Sequence, residues 1–206
     1  MNDKATRNFA ELRGCLAGAP AFSHESRGEN FYIFPLEVQR LSGAEDRINV
    51  VAREALLEAA EIMEAPRIHV VGELRSFNNR RGDGARLVIT VFARDIILDE
   101  GPDVNTIELT GALCKEPNLR TTPMGREICD LMLAVGRRYG RSDYLPCICW
   151  GPNARKASLW SVGDSVSLRG RIQSRTYIKL IDDVPVEKTA FEVSIIDIDR
   201  EKPELP

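Results

Sequence analysis

The chain has 206 residues, enough for one large domain or two small ones. Hydrophobic residues make up 43% and charged residues 29% of the chain, a composition that supports a folded core and excludes a disordered chain. The net charge of −3, taken alone, argues against a nucleic-acid-binding protein, because such proteins usually carry a basic surface.

An internal repeat of about 97 residues divides the chain. LRGCL at 12–16 and LTGAL at 109–113 are each followed four residues later by a proline. The same offset of 97 aligns several later residues, among them Gly28 with Gly125, Arg40 with Arg137 and Asp46 with Asp143. A repeat of this length has the size of a small domain, so it predicts a tandem duplication. The charged Gly/Pro segment 99–103 is the predicted linker.

In the first half, the apolar run 48–52 predicts a strand that leads into a helix over about 53–64. That helix is rich in Ala, Glu and Leu and ends before Pro66. Four glycines fall within predicted strands of the two halves, where a small closed barrel needs sharp bends: Gly14, Gly72, Gly111 and Gly170.

The second half contains five predicted strands and a short helix. The strands are 107–113, 128–135, 144–150, 166–177 and 191–198, and the helix is 152–160. Three strands, a helix and a two-stranded hairpin within about 100 residues are typical of the OB barrel. The sequence therefore predicts an all-β protein with two tandem five-stranded OB-fold barrels, each with a helix between strands 3 and 4. The predicted domains are a divergent barrel at 1–102 and a second barrel at 103–200, followed by a short tail at 201–206.

The second half resembles the bacterial single-stranded DNA-binding protein (SSB) family. The residues that carry the resemblance are Asn105, Gly111, Leu113 and Pro117, then TPMG at 122–125, LAVGR at 133–137, WG at 150–151, LWSVGD at 159–164 and VSLRGRIQSRTY at 166–177. The first half is recognised mainly through the repeat. Some bacterial SSBs have two OB folds per chain and work as dimers with four barrels, and the resemblance implies that arrangement here.

Carried over by position, Tyr144, Trp150 and Tyr177 match the aromatic residues on which SSBs stack bases. Tyr144 and Trp150 are six residues apart, so on one strand they share a face. Stacking tolerates any sequence because every base has a π-face. The alternative for each is a half-buried barrel aromatic with a polar tip. Trp160, in contrast, is interpreted as a packing residue.

Positive charge is concentrated around these aromatic residues. Residues 115–179 have a net charge of +7, whereas 1–114 and 181–206 each have −5. Because Arg and Lys bind phosphates, the block predicts a nucleic-acid-binding surface, although a solvated charged face is the alternative. The predicted phosphate contacts are Lys115, Arg120, Arg126, Arg137, Arg138, Arg171 and Arg175.

The first half lacks the aromatic set. Arg47 and Arg53 take the places of Tyr144 and Trp150 in the repeat. One extra residue then raises the offset to 98, and Asn79 takes the place of Tyr177. A basic hairpin tip remains, and it predicts secondary DNA-binding residues: Phe77, Arg80 and Arg81. The alternatives are an ordinary polar hairpin, or a barrel kept for dimer contacts or partner proteins.

The sequence predicts no enzyme, cofactor or metal site. It contains no Walker loop, nucleophile elbow or HExxH motif. Cys147 and Cys149 lack CxxC spacing and are interpreted as core residues. The chain has no long apolar run and no apolar signal-peptide core, so we expect a reduced protein in the cytoplasm, associated with the nucleoid and not with a membrane.

The predicted function is sequence-non-specific binding of single-stranded DNA in replication, repair or recombination. The predicted partners are single-stranded DNA, a second copy of the chain, and replication or repair proteins. The residues leave two alternatives open, an OB-fold adaptor of the primosome type that acts through protein partners, and an RNA-binding OB protein.

Overall fold

The computed structural model describes residues 7–60, 67–79, 87–137, 140–181 and 184–201. Contacts divide the chain into two compact units. The first comprises residues 9–106 and 176–189, and the second comprises residues 107–175, the chain from residue 190 onwards and the N-terminal residues up to Asn8. The domain boundary at 102–103 stays a prediction.

The described part of the first repeat contains six strands and one short helix. The elements are β1 (Asn8–Leu16), β2 (Ala21–Ser26), β3 (Glu29–Gln39), β4 (Glu45–Arg53), α1 (Glu54–Ala59), β5 (Arg67–Asn78) and β6 (Leu87–Leu98). The strand order is β2-β3-β4-β6-β5-β1, and β1 pairs with β3 to close the barrel. β4 and β6 are parallel, whereas β3 and β4 are antiparallel. Apart from the edge strand β2, this is the five-stranded OB topology.

The second repeat has the same order of elements. They are β7 (Val104–Leu113), β8 (Asn118–Thr121), β9 (Glu127–Gly136), β10 (Ser142–Trp150), α2 (Pro152–Ala157), β11 (Ser165–Ile181) and β12 (Val184–Arg200). The strand order is β7-β11-β12-β10-β9-β8, and β7 pairs with β9 to close the barrel. β10 and β12 are parallel. The predicted fold class, two tandem OB barrels, is confirmed.

The helices are shorter than the predicted ranges. α2 ends at Ala157 and not at residue 160, because the backbone N–H groups of Leu159 and Trp160 bond to carbonyls three residues back and tighten the last turn. α1 covers Glu54–Ala59, with Arg53 and Ala60 as its caps, and residues 61–64 of its predicted range lie outside the described residues. Each helix follows the third of the five barrel strands and precedes the fourth.

Strands β4 and β10 have the same burial pattern over all nine residues. Asp46, Ile48 and Val50 are buried in β4, and Asp143 and Leu145 are buried in β10. The offset of 97 found in the sequence therefore corresponds to equivalent three-dimensional positions. The two barrels share an inner face on this strand, and their differences lie on the outer face.

The mid-strand glycines lie where two backbones approach closely. A Cβ atom on Gly14 would lie 2.1 Å from the carbonyl oxygen of Glu37, and one on Gly111 would lie 2.4 Å from that of Ala134. These glycines belong to the strand pairs that close the two barrels, β1–β3 and β7–β9. Any side chain there would push the closing strands apart, which explains why glycine recurs at this position of the repeat.

Segment 99–103 is anchored to the first unit. Arg67 donates hydrogen bonds to the carbonyl oxygen of Gly101 and to Asp103, and Arg13 donates to the carbonyl oxygen of Pro102 at 3.0 Å and pairs with Asp99 at 2.8 Å. The backbone N–H of Gly101 donates to Asp99 and, together with the nearby Arg13, holds the pKa of that carboxyl below its usual value. The predicted linker is thus held in place by Arg13 and Arg67, two arginines of the first barrel.

Cys147 and Cys149 are buried on the inner face of β10, which confirms their interpretation as core residues. Burial raises the pKa of the Cys149 thiol to about 12 and that of the Cys129 thiol, its cross-strand neighbour, to about 11. A protonated, inaccessible thiol is a poor nucleophile. Cys15, in contrast, is exposed.

We therefore expect the native protein to react with a disulfide reagent such as DTNB rapidly at Cys15 and far more slowly at its buried cysteines. Absorbance of the released thiolate measures both phases. The Cys15→Ser variant should lose the fast phase, and guanidinium should make every remaining thiol reactive. Fast reaction of Cys147 or Cys149 in the folded protein would contradict this packing.

No helix among the described residues is both long and apolar enough to cross a membrane.

Candidate nucleic-acid interface

Tyr144 and Trp150 lie on the outer face of β10. Side chains alternate along this strand, so Leu145, Cys147 and Cys149 point into the barrel. The side chain of Tyr144 is 51% exposed and that of Trp150 is 38% exposed, as their even spacing predicts. The two aromatic rings are accessible without unfolding any part of the barrel.

Trp150 borders an open pocket of about 650 Å³ where the end of β10 meets β8 and β9. Its lining residues are Thr121, Gly125, Arg126, Glu127, Trp150, Gly151 and Arg155. The pocket therefore combines an aromatic ring with two guanidinium groups and one carboxylate. This combination suits a ligand that is both planar and negatively charged, as a nucleotide is.

The predicted phosphate-binding residues of this barrel fall into two groups. Lys115, Arg126 and Arg175 are exposed, and Arg171 is half-buried, with an Nε that has no hydrogen-bond partner among the described residues. Arg120 instead donates two hydrogen bonds to Asp130, at 2.5 and 3.0 Å, and this pairing raises the pKa of its guanidinium. Arg120 can reach a phosphate only in competition with Asp130.

Arg137 has a structural partner that the sequence interpretation did not assign. Its Nε and Nη2 both donate to the carboxylate of Asp143, which is fully buried. Arg40 and Asp46 form the same two-bond pair in the first barrel, at 2.7 and 2.5 Å. Because the pair recurs in a barrel without the aromatic set, it is a feature of the fold. The sequence repeat contained this signal, since both residues align at the offset of 97.

Tyr177 lies on β11, within segment 176–189, which the contacts assign to the other compact unit. Its side chain is half-buried. The structure thus brings Tyr144 and Trp150 onto one face of β10, and Tyr177 stays a separate candidate. Three further candidates lie outside the described residues: Arg80, Arg81 and Arg138.

The equivalent outer face of the first barrel has a different chemistry. Arg47 donates to the carbonyl oxygen of Ala17 at 3.2 Å, and Arg53 pairs with Glu29 at 3.2 Å. These arginines replace the aromatic pair and are bonded within the barrel. Phe77, on β5, is 52% exposed and is available as the predicted secondary contact.

Arg155 is a functional candidate that the sequence interpretation missed. It lies on α2, and its Nε is 2.5 Å from Glu127 Oε2 at the edge of the Trp150 pocket. The signal in the sequence was weak, because nothing in the linear spacing relates a helix residue to a strand residue 28 positions earlier. Trp160, by contrast, is buried, as predicted for a packing residue.

Comparison with known proteins identifies the second half. Residues 104–199 match the model of the single-strand binding protein family. The chain is 36% identical over 81 residues to a single-stranded DNA-binding protein of Clostridium tetani, an alignment that covers 36% of this chain and 56% of that protein. It is also 35% identical over 80 residues to single-stranded DNA-binding protein B of Bacillus subtilis. That alignment covers 35% of this chain and 71% of the Bacillus protein. The chain spans about half the length of the first of these relatives.

A structural match extends over both halves. The wild-type single-stranded DNA-binding protein of Thermus aquaticus superposes with a TM-score of 0.78 and 22% identity, over 98% of this chain and 96% of that one. At this identity, the match shows that the two chains share a fold. The match of residues 104–199 to the family model and the 71% coverage of the Bacillus relative agree with this shared fold. The chain belongs to the single-strand binding protein family.

Proposed function

We propose that this protein binds single-stranded DNA without sequence preference through the outer face of β10 in its second barrel. The observation that carries the proposal is the exposure of Tyr144 and Trp150 on one strand face, inside the segment with a net charge of +7. Non-specific binding needs aromatic faces for the bases and cations for the phosphates, and both are present here.

In the proposed complex, bases stack on Tyr144 and Trp150 while exposed cations follow the sugar–phosphate backbone. Arg126 borders the Trp150 pocket, and Lys115, Arg171 and Arg175 are further phosphate ligands of the same barrel. Tyr177 provides a third stacking surface. Binding requires no catalytic group. Since each phosphate contact releases counterions, affinity falls as the salt concentration rises.

The first barrel has a weaker part in this proposal. Arg47 and Arg53 replace the two stacking residues, and Arg53 is paired with an acid, so this face lacks both stacking rings and the guanidinium of Arg53 is not available to a phosphate. Phe77 is its secondary contact. We further propose that two chains associate into a dimer with four barrels and act in the cytoplasm on single strands exposed during replication, repair or recombination, together with proteins of those processes.

Titration with a thymidine oligomer tests the proposal through the fluorescence of Trp150. The chain has two tryptophans, and Trp160 is buried, so the Trp160→Phe variant reports Trp150 alone. We expect quenching on binding, and an affinity that falls between about 50 and 200 mM salt. The Trp160→Phe, Trp150→Phe double variant is the control, since it should show no tryptophan signal.

Unchanged fluorescence together with no gel shift at low salt would contradict the proposal and favour an adaptor that acts through proteins. The same titration with a uridine oligomer of equal length separates DNA from RNA. Tighter binding of the RNA would favour the RNA-binding alternative.

A further inference from the structure

One ion pair occupies the edge of the Trp150 pocket. Glu127 Oε2 accepts a hydrogen bond from Arg155 Nε at 2.5 Å, and both residues line the pocket together with Trp150. The Arg155 side chain is 69% exposed and that of Glu127 is 37% exposed, so a solvent-borne ligand reaches both groups.

The local fold positions the pair. Gly151 has a φ of 54°, a left-handed conformation that turns the chain from β10 into α2. Its N–H donates to the carbonyl oxygen of Glu127 at 3.0 Å, and its own carbonyl accepts from the N–H of Arg155 at 3.2 Å. The backbone around Gly151 therefore holds the start of β9 and the helix α2 together, and Arg155 lines the same pocket as Trp150.

We propose that Arg155 binds the phosphate of the nucleotide whose base stacks on Trp150, and that Glu127 competes with this phosphate for the guanidinium. Glu127 then lowers the affinity of the pocket for DNA, and we call this effect the brake. The inference rests on the proposed function. It adds Arg155 as a phosphate-binding residue and Glu127 as the group that weakens this contact. The carboxylate and a phosphate oxygen are both anionic acceptors for the same N–H groups, so only one of them holds Nε at a time.

The exposure of the pair determines how strong the brake is. Solvent and salt screen an exposed ion pair, so exchange of the carboxylate for a phosphate costs little, and the brake reduces affinity by no more than about fivefold. Arg126, in the same pocket, forms no ion pair with any described residue. It can therefore bind DNA without first leaving a carboxylate. The pocket thus contains one available cation and one restrained cation.

Glu127→Gln, Arg155→Gln and the double variant test the proposal through their affinity for a fluorescent thymidine oligomer, measured by anisotropy. At about 50 mM salt, Glu127→Gln should bind about three- to fivefold more tightly than the wild type. Arg155→Gln removes one phosphate contact, so the salt dependence of its affinity should be shallower than that of the wild type by about 0.7 in log–log slope. In the Arg155→Gln background, the gain from Glu127→Gln should shrink to less than about 1.5-fold.

Asp199→Asn is the matched control. It also removes one negative charge and releases a cation on α2, because Asp199 pairs with Lys156 at 2.6 Å, but neither residue lines the pocket. Its affinity should stay within about 1.5-fold of the wild type.

Two results would overturn the inference while leaving DNA binding intact. The first is an equal gain from Glu127→Gln with and without Arg155, which would make Glu127 a general source of repulsion. The second is an equal gain from Asp199→Asn. A wild-type protein that binds no oligomer would overturn the proposed function and, with it, the brake.

Discussion

Replacing Trp150 and Tyr177 together with alanine is expected to weaken binding of a thymidine oligomer by about 2–6 kcal/mol, because stacking contributes roughly 1–3 kcal/mol per base. Titration by fluorescence anisotropy at fixed salt measures the loss. Both rings are partly buried, so urea denaturation checks that the variant is folded under the conditions of the titration. A loss below about 0.5 kcal/mol would contradict the assignment of these two residues as stacking sites.

The repeat supplies a matched control for this experiment. Arg53 and Asn79 stand at the positions of the first half that correspond to Trp150 and Tyr177. The Arg53→Ala, Asn79→Ala variant removes no ring, and Arg53 is already paired with Glu29, so its loss should be far smaller than that of the aromatic variant. Equal losses would mean that the two barrels contribute alike, contrary to the asymmetry proposed here.

Arg137→Ala is expected to destabilise the second barrel by about 3 kcal/mol. The carboxylate of Asp143 is fully buried and loses the guanidinium that donates to both of its oxygens. Leaving a buried charge without its partner is among the most costly single changes in a protein. Urea denaturation measures the loss, and Arg40→Ala should have an effect of similar size on the first barrel, where Asp46 is also fully buried.

Arg120→Ala is the control on the same barrel, since Arg120 and Asp130 are both exposed and such pairs contribute between zero and about 1 kcal/mol. A loss in Arg137→Ala no larger than that in Arg120→Ala would contradict the structural role. If folded Arg137→Ala binds DNA more than about tenfold more weakly with unchanged stability, Arg137 is a phosphate ligand, as the sequence interpretation had it.

Much of the fold could be predicted because each half repeats the pattern of the other. Strands with one buried face, such as β10 and β4, show the alternation of apolar and polar residues that identifies a strand. The offsets of 97 and, after one extra residue, 98 transferred these assignments to the other half. The exposed positions of Tyr144 and Trp150 followed from the same alternation and from their even spacing.

Two strands were not predicted, and both lack a buried face. All six residues of β2 and all four of β8 are exposed, so hydrophobic periodicity gives no signal there. β8 lies between Pro117 and Gly125, residue types that are typical of a turn-rich connection. The end of α2 was also misplaced, since the apolar Leu159 and Trp160 continue the composition of the helix although the backbone leaves it at Ala157.

The partners of the charged residues could not be predicted from composition. Arg120, Arg137 and Arg155 all count toward the charge of +7, yet each is paired with an acid that lies elsewhere in the sequence. Pairing depends on cross-strand register and on the turn at Gly151, neither of which appears in a sum of charges. The sum of charges therefore overestimates how many of these cations are unpaired, and the basic binding surface itself stays a prediction.

The identical burial patterns of β4 and β10 have a consequence for how the duplicated chain can change. The inward residues of this strand are constrained by packing in both copies, whereas the outward residues at 47 and 53, and at 144 and 150, are exposed and lie outside the core. One copy can therefore exchange rings for arginines without refolding, while the other keeps the ligand. After duplication, each barrel can acquire its own binding specificity on an unchanged framework.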